Sequence, residues 1–238
     1  MKRYIKSVIT SIQDEDPETL KEIAETTTDP AILSEILYSD DYTATIIALS
    51  NPNLSISDMY AHADADWDYR AALAENPNLP DDLIQKLFND TDSDVYDRLL
   101  WNPKLSDTEV QQLLTKVSDD YTRQITLFDD TKPIILDRLG KYSTDSATLR
   151  NIARNPNISS EILDRLSKSN DINVRCTVAT NDNLSQETIQ YMMTDSSPYV
   201  RECLAANPNI STEDLRVLAH DESARVRRRA EDYLGVWE

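Results

Sequence analysis

Glycine is nearly missing from this chain: 238 residues hold 2, Gly140 and Gly235. A chain so poor in glycine has no Gly-rich loop to cradle a phosphate, and its tight turns must be made by other residues. Cysteine is as scarce. Cys176 and Cys203 have no metal-type spacing and read as two small buried hydrophobes. His62 and His220 are the only histidines; His62 falls where other repeats carry Leu or Met and reads as a satisfied core residue. With so few Cys and His, no metal cluster and no Ser/His/Asp arrangement can be argued. No run of about 18 apolar residues occurs, so no membrane span is expected. The start, Met1 to Lys6, is basic but lacks a continuous apolar segment behind it, so a signal peptide is not expected and a cytoplasmic location is. Positive charge is short as well: 24 Lys+Arg against 43 Asp+Glu leave a formal net charge of −19. That balance argues against direct contact with nucleic acid or an anionic membrane, both of which need a basic surface.

What the chain has in abundance is one motif. Asn51-Pro52-Asn53-Leu54-Ser55 returns with first asparagines at Asn76, Asn102, Asn155, Asn181 and Asn207, in steps of 25, 26, 53, 26 and 26 residues. The long step reads as two units with the middle copy eroded near Phe128. A fixed period of this size marks a solenoid. Each copy reads as a helix stop, a tight turn and a helix start. The first Asn is expected in the left-handed conformation that ends a helix. Pro cannot continue the helix. Leu or Ile tucks the turn onto the core, and Ser caps the next helix. Ser55/Asp58, Ser106/Glu109 and Ser211/Asp214 have capping-box spacing.

Between the motifs, apolar residues recur at helical spacing in two short runs. Leu83 and Leu87, or Ile162 and Leu166, mark a helix A; Val95 and Leu99, or Val200 and Leu204, mark a helix B. Neither helix could bury its stripe alone, but stacked neighbours can. The expectation is an all-α, right-handed α-solenoid of about eight short helical-hairpin repeats. It forms one domain over 1–238, with an N-terminal cap at 1–25, repeats at 26–206, and the last repeat with a C-terminal cap at 207–238. Tyr4, Ile5, Val8, Ile9 and Ile12 supply the cap's apolar face.

The unit Asn-Pro-Asn-Leu-Ser, then Leu-x-x-Leu, then Asp-x-x-x-x-Val-Arg resembles the leucine-rich repeat variant family and, more broadly, HEAT-like repeats. Asp64/Arg70, Asp195/Arg201 and Asp221/Arg227 show the six-residue offset that HEAT-like repeats use as a ladder between units. No clear copy stands in the eroded middle. The resemblance implies an α-solenoid that binds something and carries no catalytic residues over.

The remaining unusual feature is acid at the A-to-B turn, repeating in phase with the helices and accompanied by tyrosines. Asp66, Asp68, Asp92, Asp94, Tyr96, Asp119, Asp120 and Tyr121 are the candidate partner-binding edge; the plainer reading is helix capping and solubility. Asp64-x-Asp66-x-Asp68 and Asp90-x-Asp92-x-Asp94 begin like a calcium loop, but Tyr69 and Val95 stand where such a loop needs Gly. Arg225, Arg228 and Arg229 share one face of the last helix and form a second candidate patch. The function expected is non-enzymatic protein binding, as scaffold or inhibitor, toward another protein with a basic surface. No cofactor, metal or catalytic residue is assigned. The alternatives are an inhibitor that mimics nucleic acid and, third, a HEAT-like enzyme such as a DNA glycosylase or a bilin lyase.

Overall fold

The computed structural model describes residues 17–235 as seventeen helices of seven to eleven residues, with no strand among the described residues. The apolar run from Tyr4 to Ile12 lies outside them. The chain divides into two compact units, 1–117 and 118–238.

The first unit holds α1 (Pro17–Thr26), α2 (Pro30–Ile36), α3 (Tyr42–Ser50), α4 (Ile56–His62), α5 (Trp67–Ala74), α6 (Asp81–Phe88), α7 (Ser93–Leu99) and α8 (Asp107–Leu113). Here α1, α3, α5 and α7 pack side by side as one row, and α2, α4 and α6 each lie against the next helix of that row. The second unit holds α9 (Asp119–Ile125), α10 (Pro133–Tyr142), α11 (Ser146–Arg154), α12 (Ser160–Leu166), α13 (Ile172–Ala179), α14 (Gln186–Met192), α15 (Pro198–Ala205), α16 (Thr212–Leu218) and α17 (Ala224–Leu234). Its inner row is α9, α11, α13, α15 and α17. These stacked helical hairpins make an α-solenoid.

The row helices are short and rich in alanine where they touch. Ala44, Ala48, Ala71, Ala72, Ala74, Ala153, Ala179 and Ala205 are buried, which lets neighbouring helices approach closely. Leu, Ile and Met from the other helices fill the space behind: Leu33, Met59, Leu87, Leu113, Ile135 and Leu139 are fully or almost fully buried. Gly140 has a local role. It is buried in α10 against Ile162, at a place where a methyl group would collide with that side chain.

Helix starts follow the sequence. Ser55, Ser106, Ser118, Ser159, Ser185 and Ser211 each accept a backbone N–H from the first turn of the helix they precede, as do Asp29, Asp41, Asp92, Asp145 and Asp171. Ser106/Glu109 forms a full capping box. The acid accepts the serine hydroxyl in all three copies, Glu109 at 2.7 Å, Asp58 at 2.7 Å and Asp214 at 2.6 Å, but only the longer Glu109 also reaches the serine N–H, at 2.8 Å.

The turn works differently from the sequence expectation. No described residue other than Gly235 has positive φ, and Asn51 is extended, at φ −67° and ψ 130°. The asparagine acts through its side chain. Its Oδ1 accepts the N–H two residues on, closing an Asx-turn, as at Asn53, Asn78, Lys104, Asn157, Asn183 and Asn209. Its Nδ2 reaches back a whole repeat to carbonyls at the end of the preceding row helix. Asn76 donates to Leu49 and Asn51 at 2.9 and 2.7 Å, Asn102 to Ala74 and Asn76, Asn181 to Ala153 and Asn155, and Asn207 to Ala179 and Asn181. Asn76 and Asn102 are fully buried. The second asparagine adds an outer rung: Asn78 to Pro52, Asn183 to Pro156, Asn209 to Asp182. Glycine could neither close this Asx-turn nor bridge to the preceding repeat, in keeping with its absence from the motif.

Two further expectations are corrected. The middle of the chain does carry the Asp/Arg ladder, since Arg123 forks onto Asp145 at 3.0 and 2.6 Å. The cysteines are not separate buried hydrophobes. Cys176 of α13 and Cys203 of α15 form a disulfide with their Cα atoms 5.6 Å apart. A repeat offset of 27 residues brings the same face of two neighbouring row helices together, and the two cysteines share it.

Candidate functional site

The ladder decides which acids of the A-to-B turn are available. Arg70 forks onto Asp90 at 2.8 and 3.0 Å, Arg175 onto Asp195, and Arg201 onto Asp221. Each of these arginines also donates to a carbonyl of its own turn: Ala65, Ser169 and Asp195 respectively. The partner of each Arg is therefore the acid of the following repeat, while the acid six residues before it supplies at most a carbonyl. Asp90, Asp145, Asp195 and Asp221 are almost covered by this pairing. The guanidinium of Arg123 holds the Asp145 carboxyl well below the usual carboxylate range, and Arg201 lowers that of Asp221. These four acids are structural. Asp41, Asp92 and Asp171 cap helices. The in-phase repetition of aspartate is thus in large part a stacking device.

The candidate edge residues separate accordingly. Asp92 is half-buried and accepts the Asp94 N–H at 3.0 Å. Asp66 stands exposed at the N-cap of α5, and its side chain makes no capping bond. Tyr96 is half-buried on α7. Asp119, Asp120 and Tyr121 open α9 in the second unit, where Arg123 pairs with both acids at 4.0 and 3.0 Å. Asp68 and Asp94 are the two that share a groove.

They line a groove of about 410 Å³ on the inner row of the first unit. Tyr42 from α3, Trp67 and Asp68 from α5, and Asp94 and Arg98 from α7 form its walls, over a floor that includes Ala71 and Ala72. Three acids, Asp68, Asp94 and Glu75, face one base, Arg98, and Arg98 is held by Glu75 at 2.6 Å. Tyr42 donates its hydroxyl to Asp68 at 2.6 Å, and that bond raises the tyrosine pKa. Tyr42 and Trp67 stay 53% and 49% exposed, although both are large and aromatic. Tyr42 also meets Tyr69 edge-on at 6.1 Å, and Tyr69 continues to His62 and Tyr38. His62 is therefore half-buried among tyrosines, with Nδ1 on the Asp58 carbonyl at 2.9 Å, and not in the core as its register suggests.

Asp97 of α7 is buried and takes no part in the groove's walls. Burial, reinforced by Asp94, pushes its carboxyl up to about 6. Among the described residues no group of three or more His, Cys, Asp or Glu could hold a metal ion. In the calcium-like run, Asp90 is taken by Arg70 and by the Asp92 N–H. The arginine patch of α17 is partly neutralised: Arg225 and Arg229 both reach Glu202, at 2.9 and 3.9 Å.

Sequence patterns do not single out Trp67, nor the role of Tyr42 in a groove. Both occupy the first position of a row helix, outside the apolar stripe, and that off-stripe aromatic placement is the signal that marks them.

No protein-family model matches the chain, and no curated protein does. Solved structures that resemble it include a leucine-rich repeat variant described as having a novel repetitive structural motif. It is 19% identical, with a TM-score of 0.42, over 87% of this chain and 77% of that one. An engineered protein is 15% identical, with a TM-score of 0.24, over 85% and 96%. A HEAT-like repeats protein from Thermococcus onnurineus NA1 is 13% identical, with a TM-score of 0.20, over 99% and 96%. The first and third bear the names of the two repeat classes that the Asn-Pro-Asn unit resembles. Among the described residues, no helix is long and apolar enough to cross a membrane.

Proposed function

We propose that this chain is a non-enzymatic binding solenoid that takes a basic segment of another protein in the groove of its first unit. The observation that carries the reading is the groove itself: two half-exposed aromatic rings beside Asp68 and Asp94 in a shallow trough. Rigid aromatics give contact area at little entropic cost, and a cation over a ring next to a carboxylate gains from both. Carboxylates at the rim steer a cationic partner and fix its register. The geometry favours this over imitation of nucleic acid. A mimic needs an uninterrupted row of available carboxylates, and Asp90, Asp145, Asp195 and Asp221 are each clamped by arginine.

A photo-crosslinking residue in place of Trp67, in the native host, tests the proposal. The expected adduct is one protein, joined through a Lys- or Arg-rich peptide and retained when DNA is added. An adduct through a neutral or acidic peptide, or none at position 67 beside adducts at Ile172, contradicts the reading. An adduct that DNA displaces supports the mimic instead.

A cytoplasmic location belongs to the same proposal and stands against one feature. Disulfides persist mainly in oxidising compartments, and Cys176–Cys203 is one. Alkylation of the thiols before lysis tests this: two blocked thiols support the cytoplasm, and two protected sulfurs count against it.

A further inference from the structure

A second groove, of about 310 Å³, lies on the inner row of the second unit, and its charge is reversed. Arg150 and Arg154 of α11 flank it, Thr177 of α13 and Thr180 at that helix's C-cap lie on its floor with Asn173, and Tyr199 of α15 stands at its edge, 47% exposed. The chain carries 43 acids against 24 Lys+Arg, so an arginine outside any ion pair is against the odds; Asp129 shares a separate cavity of about 130 Å³ with Arg154 but does not pair with it. Among the described residues neither Arg150 nor Arg154 forms an ion pair. Arg150 gives only its Nε–H, to the Ser146 carbonyl of its own helix at 3.4 Å. By contrast Arg123, Arg175 and Arg201, which belong to the same inner row, are each locked onto an aspartate.

We infer that this groove binds an acidic segment of another protein through two carboxylates, one on each arginine. The pair stands at i and i+4 on α11, so the two side-chain stems start roughly 5–6 Å apart. Acidic side chains two residues apart on an extended segment are about 6.6 Å apart, a close match. A guanidinium is a planar fork that fits a planar carboxylate with two parallel hydrogen bonds. A tetrahedral phosphate wants a further cluster of donors from the floor; the two threonines withhold theirs, and Asn173 has its side chain on Asp171. Thr177 donates its hydroxyl to the Asn173 carbonyl at 2.7 Å, and Thr180 donates to Thr177 at 2.8 Å. Cys176 lines the same groove, and its disulfide to Cys203 ties α13 to α15. The cross-link therefore sets the distance between the floor and Tyr199. This inference does not rest on the groove of the first unit, which has different residues and the opposite charge.

The test titrates the full chain into fluorescein-labelled hexaglutamate, hexaglutamine and a phosphoserine peptide, read by anisotropy. Hexaglutamate should bind saturably and weaken with salt, and hexaglutamine should not bind. Arg150→Gln with Arg154→Gln should weaken hexaglutamate by about tenfold or more, since each fork is a charge-assisted bidentate contact. Lys86→Gln with Arg216→Gln removes the same charge from exposed positions outside both grooves and the α17 patch, and should leave binding within about twofold. The inference is overturned if hexaglutamate does not bind, if both double variants lose it equally, or if the phosphoserine peptide binds and hexaglutamate does not. Circular dichroism of each variant excludes loss of fold as the cause.

Discussion

At the residue scale, buried asparagines do the work of a repeat-to-repeat clip. Removing the Asn76 side chain strands the carbonyls of Leu49 and Asn51 and the N–H of Asn78. A buried polar group left without its partner costs about 1–3 kcal/mol. Asn76→Gly should therefore destabilise by about 3 kcal/mol in urea unfolding, although Gly suits turns; a neutral result would mean that only the backbone of this turn matters. Asp97 gives a prediction of opposite sign. Its folded pKa is about 6, above its ordinary 3.8. The protonated form is thus favoured by folding, and the stability it contributes is full below about pH 4 and lost as pH rises through 6. Asp97→Asn should raise the Tm at pH 7 and leave it unchanged at pH 4. A Tm gain equal at both values would show that charge burial is not the cause. The importance of Asn is legible in the sequence, because it repeats. Its mechanism is not, because a side chain that reaches back 25 residues looks the same in sequence as one that merely tolerates a left-handed turn.

At the scale of elements, helices of seven to eleven residues are too short to be stable alone and depend on neighbours. Periodic leucines, serine caps and prolines make the hairpins readable in the sequence alone. What sequence cannot show is which Asp belongs to which Arg. The six-residue offset marks a ladder between units but not its pairing: the fork closes onto the Asp of the next repeat, 20 residues ahead in Arg70–Asp90, Arg175–Asp195 and Arg201–Asp221. The rung at Arg123–Asp145 escapes the pattern for the same reason, its spacing being 22. Because Arg201 holds Asp221 low, the stability this pair contributes is present above the usual carboxylate pKa and lost as pH falls through and below it. Arg201→Gln should cost about 3 kcal/mol at pH 7, since it leaves a covered carboxylate without its cation. The cost should shrink on acidification. A constant penalty across pH would mean that packing of the Arg201 stem, and not its charge, is what the ladder supplies.

At the scale of the molecule, a net charge of −19 conceals two inner-row grooves of opposite sign. Composition points toward a basic partner but cannot locate the site, because the acids that stack repeats and the acids that face solvent are the same residue type at nearby positions. Reading 1–238 as one domain is a further proposal. One calorimetric transition, with calorimetric and van't Hoff enthalpies equal, supports it, and two separate transitions contradict it. Asp68 and Asp94, with Tyr42 and Trp67 beside them, form the groove proposed to receive a basic protein segment. The proposal's most direct test is the association rate of the segment cross-linked at position 67, measured by stopped flow against salt concentration. The wild-type rate should fall steeply with salt, and Asp68→Lys with Asp94→Lys should be slower by about tenfold and nearly flat in salt. An unchanged rate and an unchanged salt slope in that variant would contradict the account.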